Sequence, residues 1–548
     1  MTLRLDPAHP RVDEFRRAGY WSDVTLGDWL ATNERECGDR EALRWGARDA
    51  LGSGGGSLSW SQFGRQVRAF ARGLDRLGIA KGDVIAVQLP NSVEFVTAYL
   101  AIASRGAVMQ TLHMPYRAAE LQTLLAHSKA VAAIVIAQAK DYSASRTVLE
   151  LKPALPHMKH VIAVGPGAPE GALAFSDLVA DAQSNATPPA PVTVTADMPF
   201  LLLYTSGTTS APKGVPHAYR NFLGNSRLSA RELSVTREDL LLSAAPYTHL
   251  YGLFSFNMAL ATGAVTLLMP AFSPPELAEL FSRERPTIAF TAPAHIAACL
   301  GAKLFDGRDL SSLRYVQISG TAVPPELGRA FEPLLPGGKV MQLWGMTELQ
   351  AGAYTRLADS EPVRIETTGC ASPGTELRVV QDDGSPAAPG EVGELQMRGA
   401  SLFSGYLDNP QATRDAFTED GWFRTGDLAV MDAAGNTALA GRTKDIINRG
   451  GVKFNPVDVE NLMAGHPAVL EAAVVPMPDP VLGEKACLFV TLRPGQSLQL
   501  TEVQRFLEEK KVSKLKWPER LEIIGAMPLT PTRKVIKGQL AKLFDIKE

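Results

Sequence analysis

The sequence predicts an α/β protein with a large N-terminal domain of parallel-sheet α/β lobes and a small C-terminal α+β domain. The chain has 548 residues, more than one hydrophobic core usually holds, so three or four lobes are expected. Apolar runs alternate with helical patterns in the first part, as in parallel sheets covered by helices on both faces. The pattern changes near residue 443, where a segment long enough to fold by itself begins.

Three apolar runs in close succession predict the strands of the first lobe. They are VIAVQL (84–89), AVMQTL (107–112) and AVAAIVIA (130–137), and none contains a charged residue. The segment between the first two has helical spacing of its apolar residues, with Asn91 in an N-cap-like position. TPPAP (187–191) predicts a connector between lobes.

The predicted domain boundary separates residues 1–443 from residues 444–548. The C-terminal part has the alternation of a compact α+β domain. Its predicted elements are a helix (456–464), two strands (470–476 and 486–492), a second helix (501–511) and a third strand (521–525).

Composition limits the classes of partner. A net charge of −3 offers no general attraction to nucleic acid or to an anionic membrane surface. The four cysteines lie far apart and show neither metal-ligand spacing nor a disulfide framework. We therefore expect a cytoplasmic protein in a reducing compartment.

One long run without charged residues extends from Leu240 to Pro275. Its length would suffice for a membrane span, which needs about 20 apolar residues. It is interrupted, however, by Pro246, His249 and Gly263. The run therefore predicts a buried helix and strand that line an apolar cavity.

A loop rich in small hydroxyl residues and glycine follows the apolar run FLLLY (200–204). Such a loop lets backbone N–H and side-chain O–H groups approach phosphate oxygens closely, and a lysine adds a point charge. The glycine spacing differs from that of the P-loop nucleoside triphosphatases. The candidate phosphate-binding residues are Thr205, Ser206, Gly207, Thr208, Thr209 and Lys213.

This loop resembles the signature loop of the superfamily that contains acyl-CoA synthetases, peptide-synthetase adenylation domains and firefly-type luciferases. Further segments resemble the family's motifs in the family's order: QLWGMTE (342–348), DGWFRTGDL (420–428), GRTKDIINRGG (441–451) and PLTPTRKVIKGQL (528–540). The resemblance covers nearly the whole chain and implies an enzyme that activates a carboxylic acid as an acyl-AMP with ATP. The loop departs from the family once, at Ser210, where glycine is usual.

The resemblance implies roles for residues around the nucleotide. Trp344 would stack on adenine, with Gly320 and Thr321 close to the other face of the ring. Thr347 would contact the α-phosphate, and Glu348 would hold Mg²⁺, a hard cation that prefers carboxylate oxygen.

Further motif positions imply the ribose contacts and the catalytic cation. Asp427 would accept hydrogen bonds from the ribose hydroxyls, and Arg442 would reach the ribose and phosphate. Lys534 aligns with the family's catalytic lysine, although Arg533 stands where the family has glycine. Lys537 is the alternative candidate.

The resemblance also implies a second conformation for thioester formation with coenzyme A. Lys444 would be the hinge between the two domains. Rotation of the small domain would remove the catalytic lysine and bring in the loop 449–453. Gly450 and Gly451 would let the pantetheine arm pass close to the backbone.

The acid pocket is inferred from the likeness to cyclohexanecarboxylate–CoA ligases and stand-alone aryl-acid ligases. In these relatives a histidine matching His249, in PYTHLYG (246–252), lies beside the substrate carboxylate; a core histidine satisfied by backbone is the structural alternative. Leu250 stands where hydroxybenzoate ligases have the asparagine that reads the ring hydroxyl. The predicted pocket residues are Tyr247, His249, Leu250, Phe254 and Gly345.

These residues predict an uncharged, mainly apolar acid. A leucine would leave a substrate hydroxyl unpaired, which disfavours hydroxylated aryl acids. The run 240–275 contains no acidic residue to pair with an α-ammonium group, which disfavours amino acids. A cyclohexane or cyclohexene carboxylate, or a short-to-medium-chain fatty acid, fits best.

Two alternatives for the reaction stay open. A carrier protein could replace coenzyme A as the acceptor, and an oxidative, luciferase-like activity is a remote alternative. A binding module without catalysis is disfavoured, because the five residues that the chemistry needs are all present: Lys213, Glu348, Asp427, Arg442 and Lys534. Formation of a homodimer is left open.

Overall fold

A computed structural model describes residues 11–46, 54–140, 142–180, 191–205, 212–449, 452–530 and 534–543. Helices alternate with strands through most of this range, as the sequence predicts. The helices are α1 Val12–Arg17, α2 Leu26–Cys37, α3 Trp60–Arg76, α4 Val93–Ser104, α5 Ala118–Ser128, α6 Ala144–Leu151, α7 Phe175–Val179, α8 Tyr219–Glu232, α9 Leu250–Thr262, α10 Pro274–Arg283, α11 Pro293–Gly301, α12 Pro325–Phe331, α13 Glu361–Glu366, α14 Pro410–Ala416, α15 Pro456–Ala464, α16 Leu500–Glu509 and α17 Lys537–Ala541.

The strands form four sheets. They are β1 Glu41–Trp45, β2 Gly56–Ser59, β3 Val84–Gln88, β4 Val108–Thr111, β5 Ala132–Ile136, β6 His160–Val164, β7 Leu173–Ala174, β8 Pro199–Tyr204, β9 Gly214–Ala218, β10 Leu240–Ser243, β11 Val265–Leu268, β12 Ile288–Thr291, β13 Tyr315–Ile318, β14 Lys339–Met346, β15 Gln350–Tyr354, β16 Cys370–Ala371, β17 Thr375–Val380, β18 Val392–Gly399, β19 Phe423–Met431, β20 Thr437–Arg442, β21 Ile447–Arg449, β22 Val452–Phe454, β23 Val469–Asp479, β24 Gly483–Leu492 and β25 Arg520–Ile523.

The first sheet has the strand order β7-β6-β5-β3-β4-β8-β9. Its neighbours are parallel except for the antiparallel hairpin of β8 and β9. The three strands predicted for the first lobe are β3, β4 and β5. The predicted cap of the intervening helix is wrong: Ser92 caps α4 by accepting the N–H of Phe95, whereas the Asn91 side chain bonds to a different segment.

The second sheet has the order β16-β15-β14-β13-β12-β10-β11-β1-β2. It is parallel from β1 to β14 and antiparallel at both edges. The run without charges forms β10, α9 and β11, which confirms a buried helix and strand there. Residues of α9 belong to the cores on both sides, so this helix lies between the two large sheets. None of the helices in the described part of the chain has both the length and the apolar character of a membrane span.

The third sheet is antiparallel and has the order β17-β18-β19-β20. The motifs in this region did not predict a sheet. Its register places Asp427 of β19 opposite Arg442 of β20. Two motif residues that are 15 positions apart in sequence therefore become neighbours.

The C-terminal sheet has the order β22-β21-β24-β23, with β25 parallel to β24. The predicted helix 456–464 is α15, and the predicted strand 470–476 lies within the longer β23. An apolar core joins this sheet to α15 and α16. The predicted boundary between residues 443 and 444 falls in the short connection between β20 and β21.

A buried ion pair fixes the start of β14, the strand that leads into QLWGMTE. Arg364 is 2% exposed and donates to both carboxylate oxygens of Glu332 and to the carbonyl oxygen of Val340 at 3.0 Å. Glu332 also accepts the N–H of Val340 at 2.7 Å. The pair therefore holds the start of the strand that carries candidate site residues.

We expect Arg364→Ala to destabilise the protein by roughly 3 kcal/mol, because it leaves the partly buried Glu332 charge without its cation and removes the packing of a buried side chain. The measurement is thermal unfolding of the variant beside the wild type. Arg329→Ala is the control: Arg329 is 41% exposed and pairs with Glu326 and Glu366, and its loss should cost under about 1 kcal/mol. Equal effects of the two substitutions would contradict the expectation.

Candidate active site

The predicted phosphate loop connects β8 to β9. At its neck, the N–H of Thr205 donates to the carbonyl oxygen of Lys213 at 3.1 Å, and the N–H of Lys213 donates to the Thr205 hydroxyl at 3.4 Å. The structure thus places the first and last members of the predicted set together. The other members lie outside the described residues: Ser206, Gly207, Thr208 and Thr209, with Ser210.

Asp427 accepts hydrogen bonds from two directions. The indole N–H of Trp344 donates to Oδ2 at 2.9 Å, and Nε of Arg442 lies 2.9 Å from Oδ1. The carboxylate is largely buried, whereas the Arg442 side chain is about half exposed. The predicted ribose acceptor is therefore held in one orientation, with a cation beside it that faces solvent.

Trp344 is 4% exposed and packs in an apolar cluster with Leu395 and Met397. A Cβ added to Gly352 would lie 2.3 Å from the indole ring, so backbone covers one ring face closely. Adenine stacking stays a prediction, since little of the ring is open in this arrangement. Of the other predicted adenine contacts, Gly320 has a positive φ of 102° and Thr321 is exposed.

The segment Thr347–Glu348 is held by buried polar contacts. The imidazole of His217 in β9 donates from Nε2 to the carbonyl oxygen of Thr347 at 2.7 Å. Its Nδ1 faces the amide nitrogen of Asn221 at 3.2 Å, which fixes the tautomer. Before this segment, a Cβ on Gly345 would lie 1.9 Å from a backbone oxygen, so the close approach of β14 and β15 requires glycine there.

Glu348 is buried, and its Oε1 accepts a hydrogen bond from the Tyr406 hydroxyl at 2.9 Å. Burial raises the pKa of this carboxyl, and the Tyr406 hydrogen bond and the charge of Lys213 oppose the increase. Nζ of Lys213 lies 4.7 Å from the centre of the Tyr406 ring, at cation–π distance. The carboxylate predicted to hold a metal and the lysine of the phosphate loop thus meet at one tyrosine.

A cavity of about 340 Å³ opens beside these groups. Both signs of charge line it, with the cations in the majority. Its lining includes Lys213, Glu348, Tyr406, Asp415, Arg424 and Arg442. A cavity with this lining suits the phosphates of a nucleotide together with a counter-ion.

His249 caps the N-terminus of α9 at the carboxyl edge of the second sheet. Its Nδ1 accepts the N–H of Tyr251 at 3.3 Å, so the neutral imidazole carries its proton on Nε2. A Cβ on Gly252 would lie 2.3 Å from the carbonyl oxygen of Pro246, so only glycine allows this turn. The local backbone therefore determines the orientation of the imidazole.

Residues after β3 and β4 of the first sheet hold the turn before α9. The Asn91 side chain accepts the N–H of Tyr247 at 2.6 Å and donates to the carbonyl oxygen of Ala245 at 3.0 Å. His113 bonds through Nδ1 to the Thr248 hydroxyl at 2.9 Å. His249 is therefore held where the carboxyl ends of strands from both sheets meet, the usual ligand edge of α/β sheets.

The groups around His249 keep it neutral. Burial holds the pKa of His249 well below its usual range, and the charge of Lys534 acts in the same direction. Burial also lowers the pKa of His113, to about 4. The two rings lie 6.3 Å apart between centres. Near pH 7 the predicted carboxylate contact is thus an uncharged donor.

The other predicted pocket residues are buried around this turn. Tyr247, with its ring 5.8 Å from that of Phe95, and Leu250 belong to the core of the first sheet. Phe254 packs edge-on against Phe290 of β12, with ring centres 6.3 Å apart. The region is apolar on both sides of α9, apart from the polar contacts that hold the turn.

Lys534 of the small domain lies within electrostatic range of several groups of the large domain. Burial lowers the pKa of its ammonium group, and the Arg442 guanidinium adds to this effect, whereas Asp427 and Glu348 raise it. Its charge also acts on His249, so one cation lies among groups predicted to bind ribose, metal and acid. Arg533 lies outside the described residues.

Lys537, the alternative catalytic candidate, is engaged elsewhere. Its Nζ lies 2.7 Å from Glu460 and 4.0 Å from Asp445, both in the small domain.

Lys444, the predicted hinge residue, is exposed at the connection between β20 and β21. Gly450 and Gly451 lie outside the described residues.

Comparison with known proteins identifies the family. The sequence profile of the AMP-binding enzyme family matches residues 30–407, more than half of the chain. The chain belongs to this family. The profile of the AMP-binding enzyme C-terminal domain matches residues 458–534. This AMP-binding enzyme is thus an AMP-forming ligase that activates acyl or aryl acids with ATP, which confirms the predicted enzyme class.

Individual relatives of this AMP-binding enzyme include CoA ligases and acid–AMP ligases. The medium-chain fatty-acid–CoA ligase of Escherichia coli K12 is 33% identical over 545 residues, covering 99% of this chain and 94% of the relative. The 2,3-dihydroxybenzoate-AMP ligase of Bacillus subtilis 168 is 31% identical, covering 98% and 96%. The crystal structure of the anthranilate CoA ligase AuaEII with anthranoyl-AMP matches with a TM-score of 0.86 at 26% identity, covering 96% and 98%. The predicted fold class is confirmed.

Several residues at the site of this AMP-binding enzyme were missed from the sequence. They are the ones that hold the predicted residues in place rather than those the motifs assign to the substrates: His113, His217 and Tyr406, with Arg424 in the cavity wall. Asn91 was named from the sequence, but as a helix cap. Arg424 lies inside the quoted motif DGWFRTGDL and could have been found there. His113 and His217 have no local signal.

We expect Trp344→Phe to weaken ATP binding by roughly 1.5–3 kcal/mol, about one to two decades in Kd, because it removes the N–H donor to the Asp427 carboxylate and keeps an aromatic ring. The measurement is calorimetric titration with ATP. Trp29→Phe, a buried tryptophan of α2, is the control and should leave Kd unchanged. An unchanged Kd for Trp344→Phe would show that the ring alone matters.

Proposed function

We propose that the protein is an acid–thiol ligase that forms an acyl-AMP and then an acyl-CoA from a mainly apolar carboxylic acid. The observation that supports this most directly is the position of Lys534. A lysine of the small domain lies within electrostatic range of Asp427, Glu348 and His249, which belong to three separate parts of the large domain. This is the arrangement that joining an acid to the α-phosphate of ATP requires.

In the first half-reaction, a carboxylate oxygen attacks the α-phosphorus of ATP. The bond from the α-phosphorus to the bridging oxygen breaks, and pyrophosphate leaves with its electron pair. Both partners are anions, so electrostatic stabilisation is the main catalytic need. Lys534 would lie between the carboxylate and the leaving oxygen, His249 would donate from Nε2 to the acid, and Lys213 would hold phosphate.

Glu348 fits a magnesium ligand of a particular kind. Among the described residues, no group of three or more His, Cys, Asp or Glu side chains could hold a metal ion. Mg²⁺ commonly binds through one or two carboxylates together with substrate phosphates, and Glu348 lines the cavity that suits them. Bound there with ATP, the ion would neutralise charge on the phosphates.

In the second half-reaction, the thiolate sulfur of coenzyme A attacks the acyl carbon and AMP leaves. Lys534 would have to withdraw, because its position serves the first step. Rotation about the connection at Lys444 would achieve this and bring in the loop with Gly450 and Gly451. A carrier-protein thiol is the alternative acceptor, since the relatives include an acid–AMP ligase as well as a CoA ligase.

The acid is proposed to be a cyclohexane or cyclohexene carboxylate or a short-to-medium-chain fatty acid. Leu250 and Phe254 are buried in apolar cores on either side of α9. Each buried methylene contributes about 0.8 kcal/mol, so an alicyclic ring gains affinity from contact area alone. The medium-chain fatty-acid–CoA ligase among the relatives supports this class of acid. The 2,3-dihydroxybenzoate-AMP ligase instead supports the alternative, an aryl acid.

We expect Lys534→Ala to lower the rate of acyl-AMP formation by roughly 10²–10³, the usual loss for one preorganised electrostatic group. Thioester formation from supplied acyl-AMP and coenzyme A should change little, because the lysine serves only the first conformation. Pyrophosphate exchange measures the first step, and acyl-CoA release from the adenylate measures the second.

The control is Lys542→Ala, which changes an exposed lysine directly after α17 and should leave both steps unchanged. Equal losses of Lys534→Ala in the two steps would contradict its assignment, as would full activity. A wild-type enzyme that makes acyl-AMP but no acyl-CoA would instead favour a carrier protein.

For the acid, we expect cyclohexanecarboxylate and medium-chain acids to exceed salicylate and 2,3-dihydroxybenzoate in kcat/KM. A phenolic hydroxyl without a partner should cost roughly 1–3 kcal/mol, about one to two decades. Leu250→Asn should narrow this gap, because it supplies the missing partner. The measurement is pyrophosphate exchange on both enzymes with both classes of acid.

The KM for ATP is the internal control and should not change with Leu250→Asn. A wild-type preference for the hydroxybenzoates would overturn the pocket proposal and leave the adenylation chemistry intact.

A further inference from the structure

Tyr406 lies between two groups that the proposed reaction uses separately. Its hydroxyl donates to Oε1 of Glu348 at 2.9 Å, and its ring lies under Nζ of Lys213 at 4.7 Å. All three side chains line the cavity of about 340 Å³. The tyrosine therefore touches the carboxylate proposed to hold Mg²⁺ and the lysine of the phosphate loop at once.

The backbone around Tyr406 joins the same two segments. The N–H of Phe403 donates to the carbonyl oxygen of Glu348 at 2.8 Å, and the N–H of Leu407 donates to the carbonyl oxygen of Gly214 at 2.8 Å. Gly214 directly follows Lys213. The backbone of the segment 403–407 is thus hydrogen-bonded to the backbone of Glu348 at one end and to that of the residue after Lys213 at the other.

Tyr406 itself has little freedom to move. Its N–H donates to the Thr413 hydroxyl of α14 at 2.9 Å, and its ring packs edge-on against Phe403 at 4.8 Å between centres. A Cβ on the preceding Gly405 would lie 2.9 Å from the Thr413 side chain. The hydroxyl consequently reaches Glu348 from a fixed direction.

We infer that Tyr406 is a positioning residue that holds Glu348 in the orientation that binds Mg²⁺ with ATP. The inference rests on the proposed function, in which Glu348 is the metal ligand. A carboxylate with one oxygen held by a rigid donor presents its other oxygen in a fixed direction, and such partners of metal ligands are commonly worth 10–100-fold in metal affinity. ATP without metal gains nothing from this hydrogen bond.

Tyr406→Phe isolates the hydroxyl, because it keeps the ring under Lys213. We expect the affinity for Mn²⁺, used in place of Mg²⁺, to fall at least tenfold in the presence of a non-hydrolysable α,β-methylene analogue of ATP. Electron paramagnetic resonance of free Mn²⁺ measures this without turnover. Affinity for the same analogue in EDTA, measured by calorimetry, should stay within twofold of the wild type.

Tyr354→Phe is the matched control. The Tyr354 hydroxyl also donates to a carboxylate, Oε2 of Glu232 at 2.5 Å, and this pair lies outside the cavity lining. The control should keep wild-type Mn²⁺ affinity. A Mn²⁺ affinity of Tyr406→Phe within twofold of the wild type, in a protein with unchanged thermal unfolding, would overturn the inference.

A double-mutant cycle with Glu348→Gln tests the route of the effect and covers the case in which Tyr406→Phe disturbs the local fold. If the hydroxyl acts through Glu348, Tyr406→Phe should change Mn²⁺ affinity less than twofold in the Glu348→Gln background. A tenfold loss that persists there would overturn the inference. Wild-type Mn²⁺ affinity in Glu348→Gln alone would instead refute the metal assignment itself.

Discussion

The Asp427 carboxylate is the point at which separate parts of the molecule meet. Trp344 reaches it from the second sheet, Arg442 reaches it from the neighbouring strand of the third sheet, and Lys534 approaches it from the small domain. A largely buried carboxylate needs such partners, since an ionised group without them would be costly inside the protein. The contacts that stabilise the ionised Asp427 therefore also hold together the elements that carry the predicted nucleotide-binding residues.

The acid side of the site depends on a comparable meeting of elements. The turn that carries His249 belongs to the second sheet, but Asn91 and His113 of the first sheet hold its backbone and its Thr248 side chain. Because the imidazole also caps α9, its tautomer follows from the helix rather than from the substrate. The large domain thus holds a neutral imidazole in a fixed orientation, within electrostatic range of the lysine of the small domain.

How much the sequence predicts depends on how local the signal is. The strands β3 to β5, the buried α9 and the helix α15 follow from runs of neighbouring residues, and their positions agree closely with the structure. The third sheet was not predicted, because its strands have no simple alternation and are defined by pairing. The Tyr406–Glu348 and His217–Thr347 bonds join residues 58 and 130 positions apart, a distance that periodicity and spacing do not register. The N-cap at Asn91 failed for the same reason: a distant backbone segment competes for that side chain.

The way the turn before α9 is held has a consequence for how new substrates can arise in such an enzyme. The orientation of His249 depends on backbone bonds, on Gly252 and on Asn91, and not on the side chains at positions 250 and 254. In the proposed function, a replacement at either position alters which acid is chosen, while the contacts that orient the histidine are kept. New substrate preferences can therefore arise one residue at a time.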